Sequence, residues 1–483
     1  MLFNSIEYFI FLPLVFIFYW SIPNQKIQTQ NLLILFFSYF FYGWWDWRFL
    51  FLIFFSTVID YYCGLLIFKS KKHNQKKIFL WISIIFNISI LGFFKYYNFF
   101  IESLMEFTHF LNFENREFYT LNIILPVGIS FYTFQTISYS LDIYFGNLKP
   151  TKNFISFASF VSFFPQLVSG PIERASNLIP QVLNKRHFNF QQILNGLKLI
   201  LWGLFKKVVL ADSLAIYVDY IFKNYQSLDG GILILGIIYF SFQLYCDFSG
   251  YSDIAIGSAK LFGIELMSNF KFPFFSTNPI DFWNKWHISL SSWVKDYFYT
   301  PFALFFIRNS KYSISKYIPH LLTMSIIGLW HGANWTFIIF GLYWGIIICF
   351  YLIISSKINI KHIYDKISFK IFSCFLIYII SCIGFLFFRS PSLSDAINYF
   401  YIIIKRFNFP KNHLEGLFFV LFLLIFDWIY RDNERLPLNI SNIFNTKYRI
   451  INKISYFSMI SIMFWTVVIF TFRNNNQFLY FQF

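Results

Sequence analysis

Long apolar runs separated by short polar segments dominate this sequence. The runs lie near residues 5–21, 31–45, 48–68, 78–95, 119–137, 152–169, 192–211, 230–246, 288–307, 319–330, 334–355, 369–388, 415–430 and 455–472. Most approach the length that a helix needs to cross about 30 Å of hydrocarbon. The pattern therefore predicts an all-α polytopic membrane protein with roughly a dozen transmembrane or re-entrant helices.

Composition supports the same class. The chain is 57% hydrophobic and 13% charged, with 73 phenylalanines among 483 residues. Soluble domains carry about 25% charged residues, and no water-facing core could hide so many aromatic rings. No soluble domain and no internal repeat stands out, so we expect one membrane domain over residues 1–483.

The net charge of +16 is carried by short basic clusters between the apolar runs. "KSKKHNQKK" at 69–77 and "RNSKYSISK" at 308–316 fit the positive-inside pattern and contact with anionic lipid headgroups. Counting spans back from 69–77 predicts an extracytoplasmic N-terminus. No helix-turn-helix, zinc or RNA-binding signature accompanies the charge, so nucleic acid is not an expected partner.

The five cysteines lie in apolar surroundings without a C-x-x-C pair, which favours free buried thiols over disulfides. No H-E-x-x-H or similar spacing indicates a metal site. A G-x-S-x-G elbow, a Walker A loop and a Rossmann fingerprint are all missing, so hydrolase and nucleotide-driven chemistry lack support.

The stretch "YCDFSGYSDIAIG" at 245–257 places Asp247 and Asp253 inside an apolar region. A carboxylate at bilayer depth costs about 2.5 to 3.5 kcal/mol on insertion scales, so both need partners or water. One interpretation is a broken helix that lines a cavity. The other is a re-entrant turn in which the aspartates cap helix ends.

The stretch "PIDFWNKWHISLSSWVKDYFYTPF" at 279–302 resembles an interfacial amphipathic helix, with Trp283, Trp286 and Trp293 as anchors at headgroup level. His287 lies within it, and Asn284 is expected to line a cavity. Taken alone, an interfacial histidine is more often structural than catalytic.

The stretch "GLWHGANWTF" places His331 between Trp330 and Asn334 in an otherwise apolar region. Imidazole suits proton transfer near neutral pH, and burial favours the neutral form that a general base requires. We expect Asn334 to orient the ring and Trp330 to line the cavity. The alternative is a histidine bonded between helices for packing.

These motifs, with "QLVSGPIER" at 166–174 and the closing "FLYFQF", resemble the membrane-bound O-acyltransferase superfamily, and within it the bacterial alginate O-acetylation branch. The resemblance runs in order along the chain. It implies a ring of helices around a central tunnel or funnel. It also implies that His331 is the essential buried histidine and that His287 is the second motif histidine.

For function, the resemblance implies an O-acetyltransferase of a bacterial inner membrane, with His331 as general base or transient acyl carrier. His287 would hold or polarise the donor carbonyl, and Asp247 and Asp253 would be structural or cavity-lining. The expected donor is acetyl-CoA, with no bound cofactor. The expected acceptor is an alginate-like polysaccharide or peptidoglycan, reached through a periplasmic or cell-surface acetyltransferase partner.

Two alternatives stay open. A related branch moves D-alanine onto teichoic acid. A transporter or flippase could also place polar residues along a permeation path, although it would need repeats and paired broken helices that the sequence does not display.

Overall fold

The apolar runs form α-helices, which satisfy their own backbone hydrogen bonds in hydrocarbon. The structure, a computed structural model, describes residues 1–111, 119–168, 170–309, 313–357, 366–431, 433–438, 449–471 and 478–479. All regular elements in these ranges are helical. Residues 310–312 of the second basic cluster and 480–483 of "FLYFQF" lie outside the described residues.

The first eleven helices are α1 (Ile6–Ser21), α2 (Ile27–Gly43), α3 (Leu50–Lys69), α4 (His73–Leu91), α5 (Tyr97–Phe110), α6 (Ile129–Phe145), α7 (Phe154–Ser162), α8 (Phe164–Leu167), α9 (Ala175–Leu183), α10 (Phe190–Leu204) and α11 (Asp212–Lys223). The others are α12 (Gly230–Leu261), α13 (Pro279–Lys285), α14 (Ile288–Val294), α15 (Thr300–Asn309), α16 (Ile318–His331), α17 (Trp335–Lys357), α18 (Ile367–Arg389), α19 (Leu393–Lys405), α20 (Gly416–Tyr430) and α21 (Arg449–Thr471).

Within the described ranges, five helices are long and apolar enough to cross a membrane. They are Trp47–Lys69, His73–Phe110, Gly230–Leu261, Trp335–Lys357 and Ile367–Arg389. Shorter apolar helices occur at Ile6–Ser21, Gly416–Tyr430 and Tyr456–Thr471. The all-helical class is confirmed, whereas a ring of about a dozen helices stays a prediction. The expected free thiols are confirmed, since all five cysteines are unbridged.

The chain divides into two compact units. Unit 1 contains residues 1–197 and 255–267, and unit 2 contains residues 198–254 and 268–483. In unit 1, α3 packs against α4 and α6. Between them the fully buried Asp60 carboxyl group accepts hydrogen bonds from Ser83 Oγ at 2.5 Å and from Asn87 Nδ2 at 2.9 and 3.0 Å. Polar contacts of this kind bind neighbouring membrane helices to one another.

The "GPIER" motif also has a structural task in unit 1. Its buried Glu173 accepts hydrogen bonds from the backbone N–H of Met267 and, at 2.7 Å, from Asn177 Nδ2. The carboxylate therefore fastens the start of α9 to the segment that follows α12.

In unit 2, α16 and α17 form a tightly packed helical hairpin. A Cβ atom at Gly328 would lie 2.1 Å from the Phe337 carbonyl oxygen, and one at Gly341 would lie 2.2 Å from that of Met324. Such backbone contact is possible only with glycine at both positions. The two glycines therefore fix the hairpin whose tip holds the "WHGAN" residues.

Candidate active site

His331 is the last residue of α16, at the tip of the hairpin. It is 2% exposed. Its ring centroid lies 5.1 Å from the ring of Trp330, 5.2 Å from that of Phe388 and 6.0 Å from that of Phe340. The Phe337 ring packs directly against the next residue, Gly332. A Cβ atom at position 332 would lie 2.1 Å from that ring. An aromatic shell therefore shields the imidazole.

His287 reaches the same place from a break between α13 and α14. Its backbone is left-handed, with φ 45° and ψ 54°, and its side chain is fully buried. A left-handed non-glycine residue is uncommon and costs conformational energy. The surrounding chain supports it through a hydrogen bond of 2.8 Å from the Ile288 N–H to the Asn269 carbonyl.

The His287 imidazole is held by a polar chain that ends on α12. Its Nδ1 lies 3.0 Å from Asn269 Oδ1, which also accepts a hydrogen bond from Ser289 Oγ at 2.9 Å. The Asn269 amide in turn donates from Nδ2 to Ser252 Oγ at 3.0 Å. Because Oδ1 can only accept, Nδ1 carries the proton.

The protonation state of His287 follows from its surroundings. Burial lowers the pKa of His287 to about 3. The ring is therefore neutral near pH 7, with Nδ1 as its protonated nitrogen and Nε2 as its unprotonated nitrogen. A neutral ring in this tautomer cannot donate from Nε2 to a carbonyl oxygen. The polarising role that the resemblance implied would need the other tautomer, and both that role and the holding of the donor stay predictions.

The two histidines come together although 44 positions separate them in the chain, from 287 to 331. Their ring centroids are 6.3 Å apart, and Trp330 lies 5.4 Å from His287. The edge of Phe248 on α12 closes the other side at 4.7 Å from His287. Three of the residues singled out from the sequence, His331, His287 and Trp330, thus form one buried aromatic cluster.

Asp247 and Asp253 lie on α12, and the break or turn expected in their segment is wrong, whereas Asp253 does line a small cavity together with Lys206. The helix continues unbroken through residues 245–257, so there is neither a broken helix nor a re-entrant turn with capping aspartates. The reason is local pairing, since the carboxylates meet lysines from the neighbouring segment and α12 need not open to water. Asp247 is 2.7 Å from Lys207 Nζ, and Asp253 is 2.7 Å from Lys206 Nζ.

The two lysines belong to a π-helical segment, Phe205–Ala211, that interrupts the helix between α10 and α11. Lys207 also pairs with Asp212 at 2.8 Å, and Lys206 donates to Ser249 at 2.8 Å. π-Helical turns are rare and frequent at functional sites. Here the extra residue places consecutive lysines against the same helix.

Close helix packing makes these ion pairs possible. A Cβ at Gly203 would lie 2.5 Å from the Gly250 carbonyl oxygen, and one at Gly250 would lie 2.7 Å from that of Gly203. The glycine of "CDFSGYSD" is therefore a contact point between helices. It brings the lysine-bearing segment within ion-pair distance of α12.

The stretch 279–302 is not one interfacial helix, contrary to expectation. Residues 279–309 form α13, α14, a π-helical turn at Lys295–Tyr299, and α15. Trp283, Trp286 and Trp293 are 6%, 2% and 1% exposed, so they pack inside the protein and do not anchor it at headgroup level. The left-handed backbone at His287 ends the helix that the amphipathic pattern suggested.

The structure places two further residues singled out from the sequence outside the histidine cluster. Asn284 is exposed on α13 and is not part of the buried cluster. The Asn334 side chain donates to the Pro391 carbonyl at 3.1 Å and accepts from the Thr336 N–H at 3.0 Å. It thus caps the start of α17 and ties it to the segment after α18. It does not orient His331.

Sequence reasoning missed Asn269, Ser252 and the pair Lys206 and Lys207. The lysines had a signal, because two adjacent cations within the apolar run "LILWGLFKKVVLA" need anionic partners as much as the two aspartates do. No comparable feature of the sequence distinguishes Asn269. Its role depends on folding that brings residue 269 beside residue 287.

Comparison with known proteins identifies the chain that carries this site. A family model for the membrane-bound O-acyltransferase family matches residues 47–389. The chain belongs to the membrane-bound O-acyltransferase family. It is therefore an acyltransferase and a multi-pass membrane protein.

Relatives of this acyltransferase carry more specific names. A probable alginate O-acetylase of Pseudomonas syringae pv. tomato is 38% identical, with 81% of this chain and 73% of the relative covered. A peptidoglycan O-acetyltransferase of Helicobacter pylori is 36% identical, with coverage of 82% and 78%. A teichoic acid D-alanyltransferase of Streptococcus thermophilus is 31% identical, with coverage of 47% and 57%. The family match includes both histidines.

Proposed function

We propose that this protein transfers an acetyl group from a cytoplasmic donor across the membrane for O-acetylation of a cell-envelope or secreted polysaccharide. The observation that carries the proposal is the convergence of His287 and His331, whose buried rings lie 6.3 Å apart. The two acetyltransferase relatives also match more of the chain than the D-alanyltransferase does.

His331 acts as the general base in this proposal. It takes the proton from an attacking hydroxyl as that oxygen bonds to the acyl carbon of a thioester such as acetyl-CoA. The carbon–sulfur bond then breaks, and the protonated imidazole returns the proton to the departing thiolate. General base catalysis of this kind contributes about 10²- to 10⁴-fold, and exclusion of water by the aromatic shell prevents hydrolysis of the donor.

His287 acts beside His331 as a neutral acceptor. Its Nδ1 is committed to Asn269 at 3.0 Å, so its Nε2 accepts a hydrogen bond from a second hydroxyl of the acceptor, because the attacking hydroxyl gives its one proton to His331. This role replaces the carbonyl-polarising role that the family resemblance suggested.

The proposed direction of transfer follows from α16. The basic segment at 308–316, expected to be cytoplasmic, precedes the helix, whereas His331 ends it. Fourteen residues at 1.5 Å per residue separate these ends by about 21 Å. In the proposed orientation the histidine is well away from the cytoplasmic face, and from there an acyl group can be passed outward to the expected extracytoplasmic partner enzyme.

The test compares ester-linked acetate, released by mild base, from peptidoglycan and from soluble polysaccharide. Cells would carry wild-type protein, His331→Ala, or no protein, at matched membrane abundance. The control is His320→Ala, since His320 is half-buried on the same helix and pairs with Tyr299. We expect acetate in one fraction to fall about 100-fold or more with His331→Ala and to be retained with His320→Ala.

Each outcome has a defined meaning. Full acetate with His331→Ala but none without the protein would remove His331 from the chemistry. Unchanged acetate without the protein would contradict acetyl transfer. Loss of ester-linked D-alanine from teichoic acid would then favour the D-alanyl alternative.

A further inference from the structure

A cavity of about 340 Å³ lies at the junction of α11, α18 and α19 in unit 2. It is lined by Asp219, Phe222, Lys223, Tyr225, Arg389, Ser390, Pro391, Asp395 and Tyr399. This volume is within the range of small-molecule sites in proteins, which starts near 300 Å³. The proposed acyl-transfer chemistry uses none of these side chains.

The cavity adjoins the His331 end of the α16–α17 hairpin. Arg389 lines the cavity, whereas Phe388, the residue before it, lies 5.2 Å from the His331 ring. Pro391 also lines the cavity, and its carbonyl oxygen accepts the hydrogen bond from Asn334. One short segment, 388–391, is therefore shared by the wall of the cavity and the shell of the histidine.

The polar groups of the cavity alternate between donors and acceptors. Arg389 pairs with Asp219 at 2.9 Å, and the two side chains are 29% and 66% exposed. Asp395 also lines the cavity, and it accepts hydrogen bonds from Tyr225 at 2.8 Å and from Ser392 at 2.6 Å. With Lys223 at the rim, the lining carries two cations and two carboxylates.

Aromatic rings form the floor of the cavity. Tyr399 stacks on Phe222 at 4.9 Å and on Tyr225 at 5.6 Å, with interplanar angles of 25° and 29°. An acyl chain would remove water from the Arg389–Asp219 pair and from Asp395 and offer no polar contact in its place, and a simple anion would gain little from a lining with balanced charge. A ring that bears hydroxyl groups and has apolar C–H faces matches both the polar walls and the aromatic floor.

We propose that this cavity binds a pyranose ring of the glycan acceptor and holds it beside the His331 end of the α16–α17 hairpin. The inference rests on the proposed function in taking the acceptor to be a glycan. It adds that this chain has its own sugar subsite and does not leave recognition of the glycan entirely to a partner enzyme. Arg389 and Asp395 are the residues that determine binding.

The experiment measures direct binding of sugars to the full chain in lipid nanodiscs. The probes are a neutral N-acetylglucosamine tetramer and a uronic acid tetramer, followed by isothermal titration. We expect at least one probe to bind wild-type protein, and Arg389→Gln and Asp395→Asn to weaken it about tenfold or more, as the loss of a charge-assisted hydrogen bond predicts. Arg389→Lys keeps the positive charge but lacks the planar guanidinium group with its paired N–H donors. It should therefore bind sugar better than Arg389→Gln but more weakly than wild type.

Matched controls separate recognition from folding. Arg431→Gln removes an exposed arginine that stacks on Trp428, away from the cavity, and should bind as wild type. Tyr225→Phe keeps the ring and removes the hydroxyl that donates to Asp395, so it tests the same wall if Asp395→Asn does not fold. Each variant must elute as a single species before titration.

The outcomes distinguish this inference from the proposed function. Because binding needs no chemistry, His331→Ala should bind sugar as wild type does, even if acetyl transfer is disproved. Binding of both probes would indicate recognition of the neutral ring, and binding of only the uronic probe would indicate that the cations read its carboxylate; both support the site. Absence of binding to wild-type protein, or equal binding by Arg389→Gln and Asp395→Asn, would overturn it.

Discussion

The two units bury carboxyl groups in different ways. In unit 1, the Asp60 carboxyl group receives hydrogen bonds from neutral side chains, those of Ser83 and Asn87. In unit 2, Asp247 and Asp253 face lysine ammonium groups, and residues between them on α12 contact the His287 environment. Asp247 and Asp253, on the helix that contacts the histidine cluster, are thus paired with cations, whereas, among the residues that the structure describes, Asp60 is not.

This difference separates two uses of intramembrane polarity. A neutral network such as that of Asp60 binds helices together and brings no fixed cation to its surroundings. Buried ion pairs cost desolvation free energy and add little net stability. Their role is therefore better explained by the specific helix positions that they fix. We infer that the lysine pairs fix the position of α12 against the π-helical segment, and through Ser252 and Asn269 they support the placement of His287.

The largest expected effect comes from removing one cation. Lys207→Met leaves Asp247 and Asp212 buried without their shared ammonium group, and breaking a buried pair in this way costs about 3–5 kcal/mol. We expect a matching fall in the free energy of unfolding, measured by denaturant titration in detergent.

The control for this prediction is Lys405→Met, an exposed lysine on α19 that contacts Tyr401 at 2.8 Å. Adding Asp247→Asn to Lys207→Met should recover part of the loss, because one unpaired carboxylate is removed. Equal stability of the two lysine variants would show that the ion pairs do not hold unit 2 together.

The same isosteric change tests the two regions directly. Asp253→Asn removes the ion pair of the buried Lys206 and leaves it the Ser249 hydroxyl and the weaker attraction of Asp427, at a cost of about 3 kcal/mol. Asp60→Asn keeps one acceptor oxygen and loses about 1 kcal/mol. The measurements are the free energy of unfolding of both variants and the acetate transferred per folded molecule. Transfer should be unaffected by Asp60→Asn, and equal costs would contradict the distinction between the regions.

Acid should also affect the histidine region. Because burial lowers the pKa of His287 to about 3, the unfolded chain binds a proton below about pH 6.5 that the folded chain does not. Stability is therefore lost as the pH falls through this range. Between pH 7 and pH 5 the loss from this one group is about 2 kcal/mol.

The measurement compares unfolding of wild type and His287→Gln at the two pH values. The difference between the proteins isolates His287 from other titrating groups, because His287→Gln lacks this ionisation. If both proteins lose the same stability between pH 7 and pH 5, His287 is not buried as a neutral ring.

The hydrophobic pattern of the sequence predicted the helices better than it predicted which side chains contact one another. Runs expected near 48–68, 334–355 and 369–388 correspond closely to α3, α17 and α18, because uninterrupted apolar sequence specifies a membrane helix by itself. The run near 288–307 was instead divided by π-helical backbone, which hydrophobicity does not encode.

The site shows the same limit. His331 and His287 could be singled out in the sequence because imidazole side chains are unusual in apolar stretches. The fold places the two residues together. The break at His287 depends on contacts with Asn269, and the continuity of α12 depends on Lys206 and Lys207. These contacts join residues 18 to 47 positions apart, and single-sequence periodicity carries no information about such pairings.

Asn334 provides the smallest expected effect and the finest test of the site. Asn334→Ala removes the cap of α17 and should cost about 1 kcal/mol of stability. Asn334→Asp keeps a capping oxygen and loses only the donor to Pro391, so it should recover most of that stability. Because neither bond reaches His331, transfer per folded molecule at saturating acceptor should match wild type in both variants. A tenfold loss, equivalent to about 1.4 kcal/mol of transition-state stabilisation, would show that the hairpin tip and not only the aromatic shell positions the imidazole.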